Sequence, residues 1–420
     1  MEISFFVSEE VIKMNIFSQY KGLRKENYIL FIGRIVTNLG SMVWPVLTLI
    51  LNQKMGLNAT QVALVMIVSG ILFLPAGLIG GKLADKYNKK MLIIYCDMIS
   101  IVFYIICAFI PLSFVTIGLM MFAAACQSLE YPAYNALIAD VTYTKDRERA
   151  YSLQYLGANI GLVASPTIAG ILFARYLWLA FLISGLSIGL STFLIYWKVT
   201  DIEPVKDDEQ MQSYQESQDD ASLLEILRKN KVIFLYIIVM GLYWAAYQQY
   251  GYLMPLDLGR IHGDEGAVIF GSVSSLNCIV VVIFTPVFTK IFEKLTHTKM
   301  NLLGEIVVMV GYVIFLTFLG RIPAYYVAIT LFTFGEILTT VANGPYITER
   351  IPASHRGRIN GFLGVIQSLM QGIILYTSGL FYDSKGHGAA WTFILTVLGV
   401  SIIGGIALIF FDKKRYKDLY

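Results

Sequence analysis

The sequence has 420 residues, of which 56% are hydrophobic and only 15% are charged, and its mean hydropathy is +0.65. In soluble domains roughly a quarter of all residues are charged, so this composition excludes an ordinary soluble enzyme and indicates a membrane protein. The formal net charge of +3 follows from the loop distribution described below and does not indicate a nucleic-acid partner.

Apolar stretches of about twenty residues, the length that an α-helix needs to cross a bilayer, recur along the whole chain. Short segments of alternating hydrophobicity, which are typical of membrane barrels, are absent from the sequence. The fold class is therefore expected to be an all-α polytopic membrane protein. The pattern predicts twelve transmembrane helices, at residues 27–51, 60–80, 91–112, 114–139, 151–173, 177–197, 232–256, 267–290, 301–320, 323–347, 359–382 and 389–411.

Lys and Arg are distributed unevenly between the loops. If both termini are cytoplasmic, the cytoplasmic segments hold 26 of the 32 basic residues and Arg34 lies within a span. The five on the outer side are Lys54, Arg175, Arg260, Arg321 and Lys385. This is the positive-inside pattern, and it predicts a multi-pass protein of a bacterial plasma membrane with both termini cytoplasmic. Residues 1–26 show no cleavable signal pattern.

A polar segment separates two groups of six spans. The predicted domains are a six-helix bundle at 1–198, an acidic cytoplasmic linker at 199–231 and a second six-helix bundle at 232–420. A shift of 209 residues places Lys90-Met91 on Lys299-Met300 and Gln127 on Glu336. This match indicates duplication, with two pseudo-symmetric bundles and a substrate site between them near the middle of the membrane.

The segment Gly80-Gly81-Lys82-Leu83-Ala84-Asp85-Lys86-Tyr87-Asn88-Lys89-Lys90 follows the second span. It resembles the loop signature of the major facilitator superfamily, although asparagine stands at Asn88 where that family usually has glycine. The resemblance implies the twelve-helix major facilitator fold and a conformational role for Gly81, Asp85, Lys89 and Lys90. Asp85 is expected to meet a helix N-terminus of the other half, where a carboxylate is favoured, and the two lysines are expected to pair with Asp140.

The fifth span carries Gly157, Gly161, Ser165, Pro166 and Gly170. This spacing resembles the fifth-helix signature of drug–proton antiporters in the same superfamily, with serine and alanine replacing two glycines. Small residues four positions apart permit close helix contact and proline kinks a helix. We therefore expect Gly161, Pro166 and Gly170 to take part in conformational change, although ordinary helix packing is the alternative.

Five charged residues lie inside the predicted spans, away from the terminal residues: Arg34, Asp97, Glu130, Glu305 and Glu336. A charge at the centre of a membrane helix is costly and usually functional, so all five are candidates for proton coupling. Arg34 is expected to pair with Glu130. Asp97 and Glu305 lie near helix ends, where pairing with basic residues of the cytoplasmic loops is the alternative interpretation.

Polar and aromatic side chains form stripes on several spans, which is typical of a wet cavity. Aromatic faces suit amphipathic or cationic ligands, whereas helix packing is the alternative. The predicted cavity residues are Asn38, Trp44, Gln127, Tyr134, Tyr243, Tyr247, Gln248, Thr340 and Asn343.

The sequence lacks a phosphate-binding glycine–lysine loop, and its four cysteines and four histidines lack metal-ligand spacing. We expect no metal, no catalytic site and no cofactor beyond a proton gradient. The predicted function is proton-coupled export of a lipophilic or amphipathic small molecule by a monomer in contact with membrane lipid. The alternative is a symporter or facilitator for a nutrient, peptide or lipid-like solute.

Overall fold

A computed structural model describes residues 20–143, 146–199, 230–350 and 353–417. Within those ranges the chain is helical and contains no β-strand, which confirms the predicted fold class. The predicted linker, 199–231, lies almost entirely outside the described residues.

Within the described ranges the helices fall into twelve segments, labelled α1–α12 in chain order. Two of them, α1 and α7, are interrupted. The bounds are Lys25–Leu39 with Leu47–Leu49 and the π-helical turn Ile50–Lys54 (α1), Ala59–Lys86 (α2), Lys89–Phe109 (α3), Phe114–Asp140 (α4), Arg147–Phe173 (α5), Leu177–Lys198 (α6), Lys231–Tyr247 with the 3₁₀ turn Gln248–Gly251 and Leu253–His262 (α7), Glu265–Ile291 (α8), His297–Thr317 (α9), Ile322–Arg350 (α10), Ala353–Lys385 (α11) and His387–Arg415 (α12).

Among the described residues, eleven helices are long and apolar enough to cross a membrane. The remaining crossing is α1, which the sequence predicted as one continuous span and which is broken after Leu39. Pro45 lies within the break and lacks a backbone N–H. The carbonyl oxygens of Gly40 and Ser41 accept hydrogen bonds from Ser184 Oγ (2.6 Å) and Ser165 Oγ (2.9 Å), so backbone left unpaired by the break is satisfied by other helices, as a membrane interior requires.

The break in α7 occupies the position of the α1 break in the second half, since Gly40 shifted by 209 residues falls on Gln249. Here the Tyr312 hydroxyl donates to the carbonyls of Ala246 and Tyr247, at 2.9 and 3.0 Å. The Gly251 carbonyl accepts from Thr48 Oγ1 at 2.8 Å. Both breaks are thus held by hydroxyl groups, and the two bundles share this irregularity.

The loops after α2, α4, α8 and α10 lie at one end of the molecule, here called the basic face, and the loops after α1, α3, α5, α7, α9 and α11 lie at the opposite face. Between the two halves, α2 packs on α11 and α5 on α8. Within the described ranges, hydrogen bonds joining the halves lie nearer the opposite face, for example Lys54 to Asp264 (3.1 Å) and Thr167 to Ser275 (2.7 Å). The halves are therefore fastened at the opposite face.

Apolar side chains cover much of the outer surface of the bundle. Phe193, Ile403 and Phe410 are all more than half exposed. Exposed apolar area on this scale is unfavourable in water and is expected where lipid surrounds the helices.

Candidate functional site: a central cavity and a polar pocket

A cavity of about 970 Å³ lies between the two halves. Residues of α1, α2, α5, α7, α8 and α11 line it, and most of these side chains are apolar. Trp44, Tyr250 and Phe270 provide aromatic faces. The amide-bearing side chains are Gln248, Asn277 and Gln371. This arrangement, an apolar wall with a few hydrogen-bonding groups, is typical of sites for drug-sized ligands.

Glu336 on α10 lies beside this cavity and is joined to it through Asn277. The Asn277 amide donates to Glu336 Oε2 (2.8 Å) and to Thr333 Oγ1 (2.8 Å). Tyr247 lies against the same carboxyl group. No described Lys or Arg forms an ion pair with Glu336. A change in the hydrogen bonding of the Asn277 amide therefore directly alters the surroundings of the Glu336 carboxyl.

A second, smaller cavity of about 180 Å³ lies inside the first bundle. Five of the predicted residues with charged or amide groups line it together: Arg34, Asn38, Asp97, Gln127 and Glu130. Asp97 Oδ2 accepts from Thr192 Oγ1 at 2.6 Å. Glu130 lies against Asp97, and among the described residues no donor group reaches its solvent-shielded Oε2 atom. We call this cavity the N-terminal pocket.

The predicted Arg34–Glu130 ion pair is absent from this conformation. The Arg34 guanidinium lies instead over the rings of Tyr131 (5.7 Å) and Tyr134 (5.5 Å), which suits a cation because an aromatic face carries partial negative charge. Tyr134 is fixed by its hydroxyl, which donates to the Leu30 carbonyl at 2.9 Å. Both charged groups nevertheless line the N-terminal pocket.

Trp44 forms part of the wall of both cavities. Its Nε1 donates to the Tyr104 hydroxyl at 3.1 Å, and its ring meets Phe73 edge to face with the ring centres 5.6 Å apart. The break in α1 places this residue there. Asn38, also a predicted cavity residue, lines only the N-terminal pocket.

The alternative interpretation, in which Asp97 and Glu305 pair with basic loop residues, is not seen among the described residues. Neither carboxyl forms an ion pair with a basic residue of the described ranges. Asp97 belongs to the N-terminal pocket. Glu305 is 1% exposed and lies within α9 beside Ser401 of α12. Both carboxyls are therefore buried more deeply than we expected from their positions near the ends of the predicted helices.

The aromatic stripe of α7 is divided between packing and cavity. Tyr243 is fully buried, and its hydroxyl shares a hydrogen bond with Thr339 Oγ1 (2.8 Å). Tyr247 stacks on Phe332. Only Gln248 of the three predicted α7 residues lines the central cavity.

The predicted α10 residues are not cavity residues either. Asn343 Oδ1 accepts a short hydrogen bond from the Tyr236 hydroxyl, and Thr340 is exposed. Neither lies in the wall of either cavity, since Asn343 packs against α7 and Thr340 lies on the surface.

The motif after the second span begins on the last turns of α2, which extends to Lys86 rather than ending at residue 80. Lys89 Nζ pairs with Asp140 Oδ2 at 2.6 Å, as predicted, whereas Lys90 lies over the Tyr196 ring. Asp85 is exposed and makes no hydrogen bond or ion pair with described residues.

Two adjacent glycines of this motif have different surroundings. A Cβ atom at Gly80 would lie 1.9 Å from the Leu129 carbonyl oxygen, whereas Gly81 has open space. Gly80 therefore permits the close approach of α2 to α4. Asn88 does not take a left-handed turn, because its backbone is extended and its side chain caps α3 by accepting from Met91 N (3.1 Å).

The fifth-helix motif mediates two contacts. A Cβ atom at Gly161 would lie 2.5 Å from the Ile35 carbonyl oxygen of α1. At Gly170 it would lie 2.3 Å from the Ala267 carbonyl oxygen of α8, in the other half. Pro166 lines the central cavity between these positions. Small residues here thus serve both bundle packing and the contact between halves.

The sequence profile of the Major Facilitator Superfamily matches residues 29–375, most of the chain. The chain belongs to the major facilitator superfamily. It is a multi-pass membrane transporter and not an enzyme.

Relatives and solved structures extend the match to nearly the whole chain. The chain is 24% identical to the "Na(+), Li(+), K(+)/H(+) antiporter" of Planococcus maritimus, covering 90% of this chain and 94% of the relative. It is 20% identical to the multidrug resistance protein MdtH of Yersinia enterocolitica, covering 94% and 96%. A POT family transporter crystallised with 5-aminolevulinic acid superposes with a TM-score of 0.76 at 14% identity, covering 93% and 96%. That structural likeness shows the fold alone.

Sequence reasoning missed several residues of the site. Asn277 and Gln371 line the central cavity, and Thr333 shares the Asn277 amide with Glu336. Asn277 carried a usable signal, because an amide within an otherwise apolar span needs a partner.

Proposed function

We propose that this transporter exports a lipophilic or amphipathic small molecule from the cytoplasm of a bacterium in exchange for protons, by alternating access. The observation that supports this most is the central cavity. Its volume of about 970 Å³ falls at the upper end of the range of roughly 300–1,000 Å³ for small-molecule sites. Its lining is mainly apolar and aromatic, so a ligand gains from burying apolar surface there.

Proton coupling is assigned to Glu336. A carboxylate without a cationic partner is costly in an apolar surrounding, and the groups found against Glu336 are neutral ones, Asn277 and Tyr247. Asn277 also lines the cavity. A substrate that takes over the Asn277 amide, or that brings a positive charge near it, changes the balance between the charged and neutral forms of Glu336. Substrate and proton then affect each other's binding reciprocally.

The conformation supports loading from the basic face. The halves are fastened at the opposite face by contacts such as Lys54–Asp264, and the described hydrogen bonds between the halves lie nearer that face. With the basic face in the cytoplasm, as the positive-inside rule predicts, this is the state in which an exporter takes up its substrate.

The test uses inverted membrane vesicles with a pH-sensitive dye. After acidification of the vesicle interior by respiration, addition of a transported lipophilic cation is expected to release protons and restore fluorescence. A panel of lipophilic cations, neutral amphiphiles and dipeptides separates export of amphiphiles from the alternative of peptide symport. If only dipeptides move protons, the proposal of amphiphile export is wrong. Vesicles with Glu336→Gln protein provide the matched control.

A second candidate, exchange of a monovalent cation for protons, is favoured by the N-terminal pocket. Asp97, Glu130 and Arg34 together carry one net negative charge when ionised, which one proton or one monovalent cation would neutralise. The pocket of about 180 Å³ is too small for an amphipathic substrate but has room for water. The relative from Planococcus maritimus is named for this exchange.

The same vesicles test this candidate. Sodium, lithium or potassium chloride is added in place of the lipophilic cation, with choline chloride as the control for chloride and ionic strength. Proton release that depends on Asp97 and Glu130 and survives Glu336→Gln would favour cation exchange. A response equal to that of choline chloride would exclude it.

A further inference from the structure

Helices α2 and α11 lie at the contact between the halves and run in opposite directions. α2 begins at Ala59 on the opposite face and ends at Lys86 on the basic face. α11 begins at Ala353 on the basic face and ends at Lys385 on the opposite face. The start of each helix therefore lies beside the end of the other, and each carries one aspartate in its last turn, Asp85 in α2 and Asp383 in α11.

Asp383 holds the start of α2 across the boundary between the halves. Its Oδ1 accepts from the Ala59 backbone N–H (3.0 Å), and its Oδ2 accepts from the Thr60 N–H (2.8 Å) and the Thr60 hydroxyl (2.5 Å). The next N–H, of Gln61, is capped by Asn58 (2.8 Å). The first three N–H groups of α2 are thus satisfied, two of them by the other half.

This contact is favoured by charge and by close packing. A carboxylate at a helix N-terminus interacts favourably with the helix dipole, and its hydrogen bonds are charge-assisted. One turn earlier in α11, a Cβ atom at Gly379 would lie 3.0 Å from Thr60 Cα. The Tyr252 hydroxyl donates to the Ala59 carbonyl at 2.5 Å. The aspartate is therefore presented to α2 at short range by a glycine that lets the backbones approach.

The aspartate at the other end of the helix pair is in the opposite situation. Asp85 is exposed and has no hydrogen bond or ion pair within the described residues. The two aspartates lie at the two ends of a helix of 28 residues, about 40 Å apart along its axis at 1.5 Å per residue. When rigid halves rock against each other, closing one end opens the other, so the two contacts alternate.

We propose that Asp383 is a gating residue: its carboxylate on the N-terminus of α2 holds the entrance at the opposite face closed and releases it when that face opens. Asp85, which the sequence predicts to meet a helix N-terminus of the other half, is the corresponding residue at the basic face. This inference rests on the alternating-access part of the proposed function and is independent of the substrate and of the coupled ion.

The experiment measures distances between spin labels in detergent and in liposomes, without substrate or ion gradient. One pair, Arg175→Cys and Arg321→Cys, reports the opposite face, and another, Tyr143→Cys and Lys294→Cys, reports the basic face. All four labelled positions are exposed, and the four native cysteines are replaced. The variant is Asp383→Asn, and the matched control is Ser384→Ala, whose hydroxyl bonds only its own helix at Leu380.

Asp383→Asn is expected to shift the ratio of the two conformations about tenfold, toward longer distances at the opposite face and shorter distances at the basic face. The reason is the loss of two to three charge-assisted hydrogen bonds. Ser384→Ala is expected to leave both distributions unchanged. Asp85→Asn is expected to shift them in the reverse direction. Merely weakened packing would broaden both distributions without this opposed change.

Unchanged distances in Asp383→Asn overturn the proposal. If that variant fails to fold, Thr60→Val removes only the hydroxyl partner and should produce a smaller shift in the same direction, and its absence likewise overturns the proposal. Because no transport is measured, failure to find an exported compound would count against the proposed function and leave this result intact.

Discussion

The two bundles share one scaffold but place their acidic residues differently. In the first bundle, Asp97 and Glu130 share an internal pocket with Arg34. In the second, Glu336 has neutral partners and borders the cavity between the halves through Asn277. A duplicated framework can therefore keep its helix breaks and packing while its ionisable groups diverge. The comparison teaches that equivalent depth in the membrane does not imply equivalent chemistry.

The largest expected effect tests whether Glu336 alone carries the proton that is coupled to transport. Glu336→Gln keeps an acceptor for the Asn277 amide and mimics the protonated form. The variant should bind substrate and exchange labelled for unlabelled substrate, yet show no accumulation against a gradient, because exchange needs no net protonation cycle. Transport assays in proteoliposomes measure both modes. Uphill accumulation by the Gln variant would transfer the coupling role to the N-terminal pocket.

A smaller effect is expected within the N-terminal pocket. Asp97→Asn and Glu130→Gln each remove one carboxylate from the same pocket. When the loss of proton-coupled transport rate is expressed as a free energy, the double variant should therefore lose less than the sum of the two single variants. The coupling energy should be about 1 kcal/mol or more, within the range for residues in contact. Proton-coupled rates of the four proteins give this value. Additive losses would show that the two carboxyls act separately and that the pocket is not a unit.

The smallest expected effect distinguishes tyrosines of the second bundle that pack between helices from tyrosines that line the central cavity. Tyr243→Phe removes one buried hydrogen bond, to Thr339, and should lower stability by about 1 kcal/mol without changing the KM for substrate. Tyr250→Phe removes a hydroxyl that contacts Ser274 at the cavity wall (2.7 Å), and should change KM by a few-fold. Thermal unfolding and transport rates distinguish them. A larger KM change in Tyr243→Phe would contradict the division of this aromatic stripe.

The fold could be predicted from the sequence because the bilayer imposes it: helices must be about twenty apolar residues long, and basic residues mark the loops. The candidate residues Arg34, Asp97 and Glu130 followed from the same cost of burying charge. Their partners did not follow, since a shared helix face does not reveal which neighbour it meets. Tyr243 and Asn343 lie on suitable faces but pack against other helices.

Asp383 shows a different limit. It lies one residue beyond the predicted end of the eleventh span, where an aspartate normally faces water, and nothing local distinguishes it from a loop residue. Its contact with α2 joins positions 323 and 324 residues apart in sequence. The break in α1 was missed for a related reason, because the groups that stabilise it come from α5 and α6.

That break has a consequence for biosynthesis. The carbonyls of Gly40 and Ser41 are satisfied by serines that follow 144 and 124 residues later in the chain. At a synthesis rate of about 5–20 residues per second, those serines leave the ribosome roughly 6–30 s after the first span. During this interval α1 carries an unpaired backbone and Arg34, so it is poorly suited to lie alone in lipid. Its final integration must therefore wait for its own bundle. If a cysteine is introduced into this span, a nascent chain arrested before residue 165 should leave it accessible to water-soluble cysteine reagents.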